Sequence, residues 1–159
     1  MIYQGFLWFI FMELQLTIKP FSELSVIELY QILRLRESVF IIEQDCIYQD
    51  IDHKDQKAWH VIGKYDGKVV AYTRLFKRGD YFANASIGRV VIDAEFRARK
   101  WGYPLMEASI GGILRHFGES RIEISAQLYL QQFYENCGFH TTSETYLEDG
   151  IPHIRMIRD

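Results

Sequence analysis

Ser86-Ile87-Gly88-Arg89-Val90-Val91-Ile92 leads into the basic turn Asp93 to Gly102 and then into an apolar pattern that continues to His116 and Phe117. The first seven residues have the β-branched content and apolar run of a buried strand. From Pro104 onward, Met106, Ile110, Ile113 and Phe117 keep helical spacing. A strand, turn and helix in this order aim unpaired N–H groups and the positive end of a helix dipole at the turn, which suits a phosphate. Arg97, Arg99 and Lys100 add three cations there. The expectation is a phosphorylated cofactor at this turn, against the plainer reading of a solvated basic turn. Neither GxGxxG nor GxxxxGK[ST] is present.

The 159 residues fit one domain able to bury a core without metals or disulfides. Hydrophobic content of 48% and charged content of 25% are ordinary for a globular chain, and the 15% aromatic share helps both to build a core and to line a pocket. The net charge of −3 argues against nucleic acid or an anionic membrane as the main partner. The cations near position 100 therefore read as a local site. Cys46 and Cys137 make no disulfide framework and no CxxC motif, which points to a reducing, cytoplasmic setting. No metal site is expected. A cysteine-dependent transferase is a minor alternative that would depend on Cys137.

Met1 to Phe11 is an apolar run too short to span a bilayer and without the layout of a signal peptide. It reads as an N-terminal extension (1–11) ahead of one domain (12–159), with packing on a second copy of the chain, a homodimer, as its expected use. Leu14 to Lys19 alternates like a strand. A helix follows from about Ser25 to Phe40, opened by the capping box Ser25-x-x-Glu28. Glu43 to Asp55 is acidic and irregular, either a solvated loop or a rim that attracts a cationic substrate. Trp59 to Tyr65 and Val69 to Phe76 form a hairpin about Asp66-Gly67. Ile122 to Ala126 is a strand and Tyr129 to Cys137 a short helix stopped by Gly138. Phe139 to Tyr146 and His153 to Ile157 complete the chain as strands. The order β-α-β-β-β-α-β-α-β-β implies an α/β fold with a mixed sheet.

Three stretches resemble the GNAT superfamily of acyl-CoA-dependent N-acetyltransferases. Val90-Val91-Ile92 with Arg97 to Gly102 resembles its central strand and pyrophosphate loop. Gln127 to Phe139 resembles its later motif, a helix ending Tyr-x-x-x-Gly-Phe. Arg36 to Gln44, Tyr48, Asp52 and Tyr146 to Ile154 resemble the ElaA-type branch. The loop departs from the family pattern at Lys100, which replaces a glycine that lets backbone approach the pyrophosphate. Pro104 is expected to delay the start of the helix and to remove a donor.

The resemblance implies acetyl-CoA as co-substrate, with Val90 and Val91 offering backbone groups to the pantetheine arm. Arg97, Ala98, Arg99, Lys100, Trp101 and Gly102 would surround the pyrophosphate, and Gln127 would contact the cofactor. The acceptor would be a primary amine, carried by a small molecule or a peptide. A lysine-like amine, with a pKa of ~10.4, is mostly charged at neutral pH and must lose a proton before it attacks. Tyr134, with an ordinary pKa of about 10, suits the general acid that protonates the departing thiolate. Glu43 is the first candidate for the base, followed by His60 and His153, with water relayed to a carboxylate as an equal alternative. Arg36, Cys46 and Tyr48 are placed on the acceptor side. The competing class is a GNAT-like module that binds acyl-CoA or a protein partner without efficient catalysis.

Overall fold

The computed structural model describes residues 13–159; the apolar stretch assigned to the N-terminal extension lies outside them. Each element sits close to where the hydrophobic pattern puts it. The strands are β1 (Gln15–Pro20), β2 (Trp59–Tyr65), β3 (Lys68–Phe76), β4 (Ala85–Ile92), β5 (Ile122–Gln127), β6 (His140–Thr141), β7 (Tyr146–Glu148) and β8 (Ile151–Arg158). The helices are α1 (Val26–Arg36), α2 (Gly102–Phe117) and α3 (Gln131–Asn136). The strand expected over Phe139 to Tyr146 is instead two short ones, β6 and β7. They pair with opposite ends of β8, at Met156–Ile157 and at Ile151–His153.

One mixed sheet runs in the order β1-β2-β3-β4-β5-β8-β6, with β7 also against β8. All neighbours are antiparallel except β4 and β5. The side chains of Val61, Ala71, Leu75, Ala85, Ile87, Ile122 and Ile124 cover one face, against Leu105, Met106 and Ile113 of α2. Burial of this kind contributes about 1.5–3 kcal/mol per large side chain. Gly112 lets α2 come down close: a Cβ there would lie 2.9 Å from both Ile18 Cδ1 and Leu75 Cδ1. On the opposite face Ile32 and Leu35 of α1, with Val39 just beyond its end, pack against Ile62, Tyr72 and Val91. Both layers were needed because a two-sided apolar sheet must be covered on each face.

The capping box at Ser25 forms as the spacing predicts, with Glu28 N–H on Ser25 Oγ and Ser25 N–H on Glu28 Oε2. Beyond Arg36 the helix widens into a π-helical segment over Glu37–Glu43. Pro104 does not delay α2. It stands in the helix's first turn, where a backbone N–H has no partner within the helix in any case.

In the acidic segment before β2, Glu43 and Asp45 stay exposed, whereas Asp50, Asp52 and Asp55 turn inward into an ion network. Asp50 and Asp55 are buried and held by the guanidinium of Arg36: Nε to Asp50 Oδ2 at 2.9 Å and Nη1 to Asp55 Oδ1 at 2.8 Å. Arg74 holds Asp52 through two bonds of 2.8 and 2.6 Å, and reaches Asp55 at 3.0 Å. Arg89 closes the network on Asp50 at 2.6 Å. The aspartates are spent on fixing this segment to α1, β3 and β4.

Candidate active site

The site begins where β4 and β5 part. These parallel strands pair only at Ala85–Ile122 and Ser86–Glu123. Further along, β4 stays with β3 as far as Ile92, and β5 stays with β8 as far as Gln127. The gap between them is the floor of a cleft of about 730 Å³, walled by Ile87 to Ile92 on one side and by Ile124, Ser125 and Gln127 on the other. A bulge opens the gap. Tyr72 pairs with Val91 and Arg74 with Gly88, so Thr73 alone faces both Arg89 and Val90, and Arg89 takes a positive φ of 52°. A bulge bends its own strand and sharpens its twist, here at the point of divergence. The inward edge of β4 is thus left without a neighbouring strand past Ser86.

At one end of the cleft, Arg97, Lys100 and Gly102 line the approach to the first turn of α2. Lys100 adopts φ 57°, ψ 27°, the left-handed conformation that a glycine would take without strain. Its ammonium has no partner among the described residues. Arg97 is committed to Glu43 by a bidentate pair of 2.5 and 2.8 Å. That pair holds the Glu43 carboxyl below its ordinary range and raises the Arg97 guanidinium. The other three residues of the expected phosphate loop do not line the cleft. Arg99 lies over the rings of Tyr65 at 4.6 Å and Trp101 at 5.0 Å, so its charge is used in cation–π contacts on the far side of the turn. Trp101 shares that side, stacked on Phe96, and Ala98 is exposed.

Tyr134 of α3 reaches the cleft from below. It is buried between Phe133 and Phe139, and its hydroxyl makes no hydrogen bond among the described residues. Burial pushes its pKa well above the ordinary tyrosine value, so it stays protonated. Gln127 Nε2 donates to Gln44 Oε1 at 3.1 Å, tying the end of β5 to the end of the π-helical segment.

The residues expected on the acceptor side divide. Cys46, Tyr48 and His153 line the cleft. Cys46 Sγ donates to the Asp149 carbonyl at 3.2 Å, pinning the β7–β8 turn. Burial is the main reason the Tyr48 hydroxyl is raised to about 12. His153 Nδ1 lies 2.7 Å from the Ile151 carbonyl. A carbonyl only accepts, so Nδ1 carries the proton of the neutral ring and Nε2 keeps its lone pair. Arg36 and His60 lie elsewhere. Arg36 is fully buried in the ion network and touches no part of the cleft. His60 is buried between the Tyr72 hydroxyl at 2.7 Å and the Asp55 carbonyl at 3.0 Å, and burial takes its pKa down to about 4. Cys137 is half-buried away from the cleft with its thiol pKa raised by burial, which argues against the cysteine-dependent alternative.

Sequence reasoning missed a polar group on the β7 side. Glu148, Ser125 and Tyr146 come together there, with Ser125 Oγ 2.7 Å from Glu148 Oε2 and 2.5 Å from the Tyr146 hydroxyl. No local motif announces it, because Ser125 and Glu148 meet only through the pairing of β5 and β7 with β8. Two cleft-lining residues carry buried polar atoms with no hydrogen-bond partner among the described residues, Ser86 Oγ and Arg74 Nε.

Known proteins share this fold. The acetyltransferase (GNAT) domain model matches residues 23–159. Protein ElaA of Escherichia coli is 41% identical over 140 residues, covering 87% of this chain and 92% of that one. Its crystal structure superposes with a TM-score of 0.86 and covers 92% of this chain and all of that one. An acyl-CoA N-acyltransferase from Pseudomonas aeruginosa matches with a TM-score of 0.86, 38% identity and the same coverage. An N-acetylglutamate synthase from Neisseria gonorrhoeae, in complex with coenzyme A and N-acetyl-glutamate, shares the fold at 18% identity and a TM-score of 0.65, over 92% of this chain and 35% of that one. On a match that spans most of the chain and includes both walls of the cleft, the protein belongs to the GNAT acetyltransferase family, next to ElaA.

Proposed function

We propose that the protein moves an acetyl group from acetyl-CoA to a primary amine by direct attack, with Tyr134 as general acid. The observation that carries this reading is the parting of β4 from β5 with an unpartnered tyrosine hydroxyl in the gap. An unpaired strand edge takes up an extended chain bearing amides, and Val90 and Val91 supply that edge for the pantetheine arm. Lys100 and the first turn of α2 supply charge and N–H donors for the pyrophosphate. Arg97 joins them when it leaves Glu43.

In the chemical step the amine nitrogen forms the C–N bond as the C–S bond breaks. Tyr134 then gives its proton to the departing sulfur. Its raised pKa keeps that proton in place at neutral pH. The amine loses its own proton to a base. Glu43 is weakened for that role by Arg97, and His60 is out of reach; His153 lines the cleft, has its Nε2 unbonded among the described residues, and takes the role here.

Thiol release from acetyl-CoA across a panel of primary amines tests the reading. Tyr134→Phe is expected to lower kcat at least 100-fold with the KM for acetyl-CoA within twofold, in line with the ~10²–10⁴-fold contributed by a placed acid or base. Near-normal turnover would remove Tyr134 from the mechanism. CoA binding without turnover on any amine would favour a non-catalytic acyl-CoA-binding module.

A further inference from the structure

We propose that Glu148 receives the ammonium group of the acceptor, and that the acceptor is therefore a primary amine bound as a cation and carried on an apolar or aromatic body. The proposal rests on the acetyl-transfer reading and assigns its substrate class.

Four carboxylates line the cleft. Glu43 is neutralised by Arg97, and Asp52 by Arg74. Asp149 stands exposed at the tip of the β7–β8 turn. Glu148 is half-buried and has no cationic partner among the described residues. Its one hydrogen bond comes from Ser125 Oγ at 2.7 Å. The serine hydroxyl has a single hydrogen, spent on Glu148, so the Tyr146 hydroxyl 2.5 Å away donates to the serine oxygen. Two hydroxyls in series therefore point their hydrogens toward the carboxylate and hold it in place. A carboxylate accepts about four hydrogen bonds, so most of the capacity of Glu148 is unused. A partly desolvated anion left in this state attracts a cation with donors to spare, and an ammonium brings three.

No described residue supplies such a cation. Arg155, on the adjoining strand, is paired with Glu123 at 2.7 Å and rests on the Phe82 ring at 4.1 Å, and His153, on the same strand, stacks on the Tyr146 ring and makes no ion pair with Glu148. Arg74 and Arg89 are held by the buried aspartates. Phe76, Tyr81 and Phe82 form the wall beside this part of the cleft. They favour an apolar body next to the charged group, and their ring faces attract cations. The cleft is thus polarised, with an unpaired ammonium on Lys100 at the α2 end and an unpaired carboxylate on the β7 side. An anionic co-substrate and a cationic acceptor match those two ends.

The test is calorimetric titration of the full chain, saturated with CoA, with phenethylamine and with its neutral analogue 2-phenylethanol. The wild-type protein is expected to bind the amine at least tenfold more tightly than the alcohol. Glu148→Gln should bind the two alike, and Glu148→Asp, which keeps the charge, should retain the preference. CoA affinity within twofold of wild type in both variants reports an intact fold. A preference that survives Glu148→Gln, or a wild-type protein that binds neither probe or both equally, overturns the proposal. Thiol release run in parallel separates the two ideas. Charge-selective binding that needs Glu148 but gives no thiol release counts against acetyl transfer alone, whereas amine acetylation indifferent to Glu148→Gln counts against this site alone.

Discussion

Arg97 and Glu43 grip each other at the exposed rim of the cleft through two parallel N–H···O bonds, 2.5 and 2.8 Å long. The cation expected to hold a pyrophosphate is therefore in competition with a carboxylate of its own chain. Both groups are over a third exposed, and such pairs contribute only about 0–1 kcal/mol. Glu43→Gln is expected to free Arg97 and tighten CoA binding, by no more than about fivefold, since 1 kcal/mol is roughly that factor. Arg97→Ala should weaken binding. Calorimetric CoA affinities at low salt and at about 0.5 M salt would decide it, because screening should shrink both effects. An unchanged affinity in Glu43→Gln would show that the ion pair does not compete with the ligand.

Arg36 is expected to matter for stability and not for the acceptor. Its Nε and Nη2 serve Asp50 and its Nη1 serves Asp55, all inside the protein. Breaking a buried pair leaves an uncompensated charge and costs about 3–5 kcal/mol. Arg89 and Arg74 still reach the same aspartates, which places Arg36→Ala at the lower end of that range. Arg36→Lys should recover only part of the loss, since one ammonium cannot match a planar fork with three partners. Urea midpoints measure this. A loss under 1 kcal/mol in Arg36→Ala would mean that water or the other arginines replace it at no cost.

These two arginines also mark what was legible in the sequence. The strand, turn and helix around Arg97 could be read because their signals are local: β-branched runs, helical spacing, a capping serine. The β4 wall of the cleft followed from the same stretch. The ion network of the acidic segment has no local signal, because Asp50, Asp52 and Asp55 are neutralised by Arg36, Arg74 and Arg89, which lie 14 to 39 positions away in the chain. The same holds for the bond between Ser125 and Glu148. Periodicity reports which face of an element is buried, and it carries no information about which distant charges meet there.

His60 gives the protein a built-in sensitivity to acid. Its Nε2 donates to the Asp55 carbonyl and its Nδ1 accepts from the Tyr72 hydroxyl, so the neutral ring is fully satisfied. Burial lowers its pKa from 6.5 to about 4. The unfolded chain then takes up the proton first. The stability this group contributes is complete above about pH 6.5 and is lost as the pH falls from there through 4. At about 1.4 kcal/mol per pKa unit the full loss is about 3–4 kcal/mol. His60→Gln, which cannot titrate, should remove that part of the slope. Urea unfolding of both proteins between pH 7.5 and 4.5 checks it, and parallel curves would show that the histidine is not titrating in this window.

Lys100 should separate stability from cofactor binding with opposite signs. Its backbone is left-handed, at φ 57° and ψ 27°, and such a conformation costs a residue with a Cβ about 1–2 kcal/mol. Lys100→Gly relieves that strain but gives the unfolded chain more freedom, which returns about 0.4–1 kcal/mol of it. The net expectation is a rise in stability of about 0–1.6 kcal/mol, together with a several-fold weaker CoA affinity through loss of an unpaired charge. Lys100→Met keeps the strain and discards the charge. It should weaken CoA binding to the same extent and leave stability where it was. Thermal melts and CoA titrations on the three proteins give four comparisons. If Lys100→Gly binds CoA as well as wild type while Lys100→Met does not, close approach of bare backbone can substitute for the ammonium. If neither variant loses affinity, the phosphate relies on the N–H groups of the α2 turn and on Arg97 instead.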